Sequence, residues 1–313
     1  MVEVIYNGGL GNNLFQYCFG RILAETMRYK LFVPPIPGLA RTYDLVDGHN
    51  YANENVLTLR GQRPDLTFLK NGSECRYHLL LTGYFQRYEY YKPHAKRIRE
   101  WLDIEDNIEA SIGEHDVVLS IRRGRDYIPR YGLPLSYYEH ALASIKYERV
   151  HICTNEPEDP FIQYLTRRYS AVVRPGSFQG GRLLTTYLSG ALDNLVFIKK
   201  FKKIIVSNSS FAWWAAFLSH ADEVIYPRPA NGMWSSNDPV SKNIDLEVDE
   251  ERYKYLSCEK YKSEFLSEII RNYYDDTIVG AKSNLRTWFP FVTRKKKHAK
   301  DGRAFLFHED SDD

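Results

Sequence analysis

Residues 117–127 read VVLSIRRGRDY, and the first five of them decide the fold class. Val117, Val118, Leu119 and Ile121 leave only Ser120 polar, so no wet face alternates with a dry one. A strand apolar on both sides is covered on both sides, the condition of a parallel sheet between helical layers. Similar runs recur at VHICT (150–154), AVVR (171–174), IIVSN (204–208) and EVIYP (223–227). Between them, LSYYEHALASI sets Tyr138, Leu142 and Ile145 on one helical stripe, and TTYLSGALDNLVFIKK does the same with Leu188, Leu192 and Leu195. Strands alternating with helices predict a doubly wound α/β domain, with ligands at the carboxyl ends of its strands.

The first part of the chain begins the same way. VEVIY predicts a strand and GGLGNN (8–13) a turn. LFQYCFGRILAETMRYK then predicts a helix with Leu14, Cys18 and Ile22 on its apolar face. LFV predicts a second strand; after VPPIPG the pattern weakens until YHLLLTGYF (77–85), and AKRIREWLDI closes the region as a helix. The polar stretch EDNIEASIG (105–113) marks a boundary. The expected organisation is one α/β domain over 1–110, a second over 111–250, helices over 251–283 and a tail over 284–313.

Composition narrows the function classes. A chain of 313 residues with a formal net charge of +2 is no electrostatic funnel for nucleic acid, so any basic site is local. Cys18, Cys75, Cys153 and Cys258 lie far apart without a CxxC pair, which speaks against a zinc knuckle or redox motif. No stretch approaches the roughly 18 apolar residues of a membrane span, and no leader-like segment follows Met1. The expectation is a cytoplasmic protein.

Three loops at strand ends carry the chemistry. GGLGNN brings Gly9, Gly11 and Asn12 to a strand–helix turn, where glycines permit close backbone approach and a helix start offers unpaired N–H groups to an anion. No Gly-Lys-Ser/Thr follows, so this is not a P-loop. Leu14 stands where a dinucleotide fingerprint has its third glycine, and no acidic residue ends the next strand. The turn therefore reads equally as a structural device or a ligand contact.

Arg122 and Arg123 follow the apolar strand directly. A guanidinium keeps its charge and its planar fork matches two phosphate oxygens. The plain alternative is a surface ion pair with Asp126. Two consecutive arginines weigh toward the diphosphate reading, because one of them faces inward. In IIVSNSSFAWWAAFLS (204–219), Ser207 to Ser210 open a helix led by Phe211, Trp213 and Trp214. Serines there cap the helix or present hydroxyls and amides to phosphate. The tryptophans read as core, or as flanks of a sugar.

Taken in order, GGLGNNLFQYCFGRILA, SIRRGRDY and SNSSFAWWAAFL resemble the motifs of inverting fucosyltransferases, most of all the α-1,2-fucosyltransferases of glycosyltransferase family 11. LTGYFQRYEYYKPHAKRIREWL is similar to a further stretch of that family, and the resemblance spans about residues 4–227. It implies two Rossmann-like domains facing a cleft, the GT-B arrangement, with GDP-fucose mainly on the second and a carbohydrate acceptor entering from the first. It implies that Arg122 and Arg123 hold the departing diphosphate and that Asn12, with Gly9 and Gly11, meets the sugar-phosphate region. Ser209, Ser210 and Phe211 would contact the diphosphate, and Asp193 the nucleotide. Asp126 is a catalytic candidate by its nearness to the arginines, and the general base near the acceptor hydroxyl stays unassigned. The chain has Ser120 where the family has histidine, and Arg125 is inserted before Asp126. No DxD motif stands near the loops, so neither metal nor cofactor is expected.

Other readings are transfer of a different sugar from a nucleotide donor, and a noncatalytic nucleotide- or sugar-binding module. An NAD-dependent oxidoreductase is disfavoured by the missing third glycine and ribose acid. In the tail, TWFPFVTRKKKHAK suits either a solvated end or peripheral contact with an anionic membrane.

Overall fold

The computed structural model describes residues 1–52, 55–69, 76–104, 106, 108–124, 127, 131–174, 184–229 and 243–258. The chain is an α/β protein with two sheets, and every strand pair in them is parallel. The first sheet holds β1 (Val2–Val4), β2 (Leu31–Phe32), β3 (Asn55–Leu59) and β4 (Tyr77–Leu81) in the order β2-β1-β4-β3. The second holds β5 (Val117–Ile121), β6 (Val150–Thr154), β7 (Val172–Val173), β8 (Lys203–Val206), β9 (Glu223–Pro229) and β10 (Tyr253–Cys258), in the order β10-β9-β8-β5-β6-β7. Counted from β5 as 1, that order runs 3-2-1-4-5-6 from the far edge, the order of the dinucleotide-binding sheet. Both sheets lie in one compact unit, Met1–Lys262.

Among the described residues seven α-helices accompany the strands: α1 (Leu10–Met27), α2 (Tyr88–Tyr91), α3 (Ala95–Trp101), α4 (Leu135–Ala143), α5 (Pro160–Tyr169), α6 (Leu184–Lys199) and α7 (Ser210–Leu218). The apolar runs at 117–121 and 150–154 become β5 and β6, buried at every position. Helix α7 is buried throughout from Ala212 to Leu218. A helix apolar all round belongs inside the protein, and α7 packs against α1. The Phe15 ring lies 5.0 Å from that of Trp213 and 4.7 Å from that of Trp214, with Tyr91 5.8 Å from Trp214. Both tryptophans are core, each fully buried, and a side chain of that kind contributes about 1.5–3 kcal/mol or more on burial.

The structure departs from the sequence reading at the sheet edges. Residues 253–258, expected to begin a helical segment, form β10, which pairs with β9 from Tyr253↔Val224 to Cys258↔Pro229. Strand β3 lies where no element was expected. Both are edge strands whose middle residues are half-wet, so neither shows the continuous apolar run of a central strand. Helix α5 carries a signal of its own: Asp159 caps it through Phe161 N, and Pro160 takes the first turn. The remainder of the 251–283 segment and the 284–313 tail lie outside the described residues. Among the described residues no helix is long and apolar enough to cross a membrane.

Candidate active site

From β5 the chain winds outward through β6 and β7, then returns to place β8 on the other side of β5. Helices leaving β5 and β8 diverge, so a crevice opens at their carboxyl ends. A cleft of about 330 Å³ occupies that place. Ser120, Ile121 and Arg122 reach it from β5, Thr154 and Asn155 from β6, and Ser207, Ser209 and Ser210 from β8. The opposite wall comes from the first sheet: Gly9, Gly11 and Asn12 after β1, Gln62 after β3, Tyr84 and Gln86 after β4. The lining thus draws on the carboxyl ends of strands from both sheets.

Two helices begin on this cleft, α1 after Gly9 and α7 after Ser209. Gly9 has no side chain to cap α1, the Ser209 side chain makes no cap bond to α7, and neither first turn holds an acidic residue. Their first N–H groups and the positive ends of both dipoles face a common space. The two starts touch. A Cβ on Gly11 would lie 2.5 Å from the Phe211 amide nitrogen and 2.7 Å from the Ser210 carbonyl carbon, so the contact is backbone against backbone. Gly8 turns the chain into α1 with φ +85°, and a Cβ there would meet Asn12 Nδ2 at 2.2 Å. Asn12 Oδ1 accepts from Gln86 Nε2 at 2.8 Å and from Ser210 Oγ at 2.9 Å, joining both walls.

The consecutive arginines part. Arg122 lines the cleft with its guanidinium carbon 5.8 Å from the Tyr127 ring, and among the described residues no carboxylate pairs with it. Arg123, expected on the donor, instead turns into the protein and does not line the cleft. Its Nε donates to Asp159 Oδ2 at 3.0 Å, its other end to Oδ1 at 3.3 Å, and the Phe161 ring lies 4.3 Å away. The Asn155 amide clamps the Arg123 backbone from both sides, accepting from its N–H at 2.8 Å and donating to its carbonyl at 2.7 Å. Asp159 and Asn155 thereby fix the turn that carries Arg122. Tyr127 donates to Asn208 Oδ1 at 2.8 Å, and burial holds its hydroxyl far above the ordinary tyrosine value.

Gly9, Gly11, Asn12, Arg122, Ser209, Ser210 and Phe211 all line the cleft. Asp193 does not: it is exposed on α6, while its neighbour Asn194 is buried and lines the cleft. A helix rotates about 100° per residue, and on α6 that turn carries Asn194 inward and Asp193 outward. Asp126 lies outside the described residues. The motifs did not point to Gln62, Gln86, Asn155 or Asn194. Two lining atoms, Ser207 Oγ and Asn194 Nδ2, are buried with no hydrogen-bond partner among the described residues. The Asn194 amide is oriented by Arg174, whose Nε donates to its Oδ1 at 2.9 Å. Cys153 also borders the cleft, but burial pushes its thiol up to about 12, which keeps it protonated and unreactive.

No family model and no curated protein matches the chain. Among solved structures, NodZ α-1,6-fucosyltransferase soaked with GDP-fucose is 13% identical, covering 71% of this chain and 93% of its own, with a TM-score of 0.43. The same enzyme co-crystallised with GDP gives 0.39 at the same identity and coverage. A family 9 glycosyltransferase from Veillonella parvula is 10% identical over 90% of each chain, with a TM-score of 0.42. At scores below 0.5 the likeness carries no functional argument.

Proposed function

We propose that the chain is a glycosyltransferase of GT-B type that moves L-fucose from GDP-fucose to a sugar hydroxyl with inversion, forming an α-1,2 linkage and using no metal. The observation that carries this reading is the meeting of two uncapped helix starts with Arg122 in one cleft. Such a set suits a diphosphate: amides and a fork of fixed positive charge, placed at the switch point of the sheet. Two buried polar atoms without partners, Ser207 Oγ and Asn194 Nδ2, add to it, since a buried polar group costs about 1–3 kcal/mol until something bonds it. Fucose, the linkage and inversion rest on the resemblance of the ordered motifs alone.

In this reaction the acceptor oxygen attacks the anomeric carbon as its bond to the diphosphate breaks. The bond pair leaves with GDP, and the acceptor proton passes to a base, for which Asp126 is this reading's candidate. Negative charge builds on the β-phosphate while the sugar becomes oxocarbenium-like. Arg122 and the first amides of α1 and α7 meet that charge without reorganising, which is where preorganised groups gain most. Ser209 and Ser210 offer hydroxyls to the same oxygens, and Asn12 stands beside the bond that breaks.

Calorimetry with GDP, and GDP release from GDP-fucose, GDP-mannose and a UDP-sugar without acceptor, test the reading. Binding of GDP and slow release from GDP-fucose alone, unchanged by EDTA, are expected. Binding without release leaves a noncatalytic module, release from another donor removes fucose, and failure to bind GDP removes the whole reading.

A further inference from the structure

The Asn12 and Gln86 side chains face each other across the cleft wall, yet they share one hydrogen bond where a closed amide pair makes two. Gln86 Nε2 donates to Asn12 Oδ1 at 2.8 Å, and Ser210 Oγ fills the second acceptor site of that oxygen at 2.9 Å. The two remaining atoms, Asn12 Nδ2 and Gln86 Oε1, have no partner among the described residues. One is a donor and the other an acceptor, and both belong to residues lining the cleft. The Asn12 side chain is not free to turn, and the Gln86 backbone is fixed. Asn12 is held by its two donors, and Nδ2 sits over Gly8, where a Cβ would come within 2.2 Å. The Gln86 backbone is pinned on both sides: its N–H donates to Gln62 Oε1 at 2.7 Å and its carbonyl accepts from Asp245 N at 3.0 Å. Gln86 is 5% exposed, so its amide is set into the cleft wall, yet neither its oxygen nor Asn12 Nδ2 is sealed off, and a ligand in the cleft can reach both.

We infer that Gln86 Oε1 and Asn12 Nδ2 together hold one hydroxyl of an uncharged sugar, the acceptor of the proposed transfer. A hydroxyl is both donor and acceptor, so one such group satisfies both atoms: its O–H donates to Gln86 Oε1 while its oxygen accepts from Asn12 Nδ2. A carboxylate would serve Asn12 and leave Gln86 facing a second acceptor. An ammonium would do the reverse. The neighbouring wall suits a sugar as well: Tyr84 is half-buried and lines the cleft, and its hydroxyl has no hydrogen-bond partner among the described residues. Gln86 is thus a binding residue for the acceptor and a positioning residue for Asn12. This inference rests on the proposed function for the word acceptor, but the sugar site itself is read from the amides.

Saturation-transfer NMR on the full chain, with and without GDP, tests it with the methyl glycosides of glucose, galactose, mannose and N-acetylglucosamine. At least one is expected to bind, and its monodeoxy derivatives are expected to show one hydroxyl whose removal weakens binding about tenfold, the cost of leaving buried polar atoms unpaired. Gln86→Leu should weaken the parent sugar to a similar degree and abolish the preference for that hydroxyl. The deoxy series uses the unaltered protein, so it decides the matter even where Gln86→Leu does not fold. The inference is overturned when no glycoside binds, when no single hydroxyl matters by more than about twofold, or when a folded Gln86→Leu protein binds the parent sugar as well as before. Sugar binding without GDP binding would keep the site and remove the transferase; GDP binding without sugar binding would do the opposite.

Discussion

Trp214 donates its indole N–H to the Gly11 carbonyl at 3.0 Å, tying the first turn of α1 to the middle of α7. The bond is buried and crosses between the two sheets. It explains why two helix starts, 198 residues apart at Asn12 and Ser210, keep their relative placement. The aromatic cluster of Phe15, Tyr91, Trp213 and Trp214 supplies the bulk of the cohesion, and the indole bond supplies the register. The cleft is therefore part of the core's geometry rather than a loop assembly.

Gly11→Ala follows from this contact. The new methyl would press on the backbone of Ser210 and Phe211 at 2.7 and 2.5 Å, atoms that cannot rotate away. The expected loss is about 1–3 kcal/mol of stability in urea unfolding, together with weaker GDP binding because the helix starts splay. A protein of unchanged stability would show that the two starts are not in contact.

Arg123 and Asp159 form a buried pair, 3% and 5% exposed at their side chains. Removing one partner leaves a buried charge, so Arg123→Ala should cost about 3–5 kcal/mol. Asp159→Asn should cost less than Asp159→Ala, because asparagine keeps the cap on Phe161 N at the start of α5. Arg123→Met with Asp159→Leu should recover much of the single-variant loss. Urea midpoints of the four proteins check the order.

Arg122 and Arg123 mark how far the sequence can be read. The strand ahead of them is legible because central parallel strands are apolar on both faces, and β5, β6 and β8 follow that rule. Edge strands β3 and β10 are half-wet and escape it. Alternation says that one arginine faces in, but which one depends on Asp159, 36 residues later, and on Asn155 gripping the turn. On the second-sheet wall Arg122, Ser209 and Ser210 stand in legible runs of arginine and serine, whereas Asn155 and Asn194 do not. Gln62 and Gln86 were not legible either, since a lone glutamine carries no pattern and meets Asn12 only after folding closes 74 residues of chain. At Asp193 a single helical step matters: that residue is exposed, and helix α6 turns Asn194, one residue on, to the cleft.

At the other end of the second sheet, Asp116 is wholly buried and accepts from Arg149 at 2.8 Å, His151 Nε2 at 3.0 Å and Gly113 N at 2.8 Å. Burial alone would raise its carboxyl; the Arg149 guanidinium and the other two donors outweigh it and hold the group below the ordinary 3.8. A folded-state value lower than the unfolded one means stability that is present above about pH 4 and lost as pH falls through the folded value. Asp116→Asn removes that contribution. The gap between the urea midpoints of the unaltered protein and the variant should be constant at neutral pH and shrink on acidification below about pH 4. A gap that widens on acidification would reverse the sign and refute the assignment.

Arg122 is the residue on which charge stabilisation depends, and its contrast with Arg123 separates chemistry from folding. Arg122 is half-buried in the cleft lining with no carboxylate partner among the described residues, so replacing it leaves no orphaned acid and should change stability little. If its fork grips the diphosphate as charge develops, Arg122→Ala lowers GDP release from GDP-fucose at saturating donor by about 10²–10³. Arg122→Lys restores the charge but not the paired N–H groups, so it should recover only part of that loss. Arg123→Met with Asp159→Leu, which acts behind the turn, should change unfolding far more than turnover in the folded protein. Stopped assays of all three at saturating GDP-fucose, alongside their urea midpoints, make the comparison. Turnover of Arg122→Ala within about threefold of the unaltered chain would remove Arg122 from the reaction, since a charge-assisted contact made in the transition state is worth much more than that.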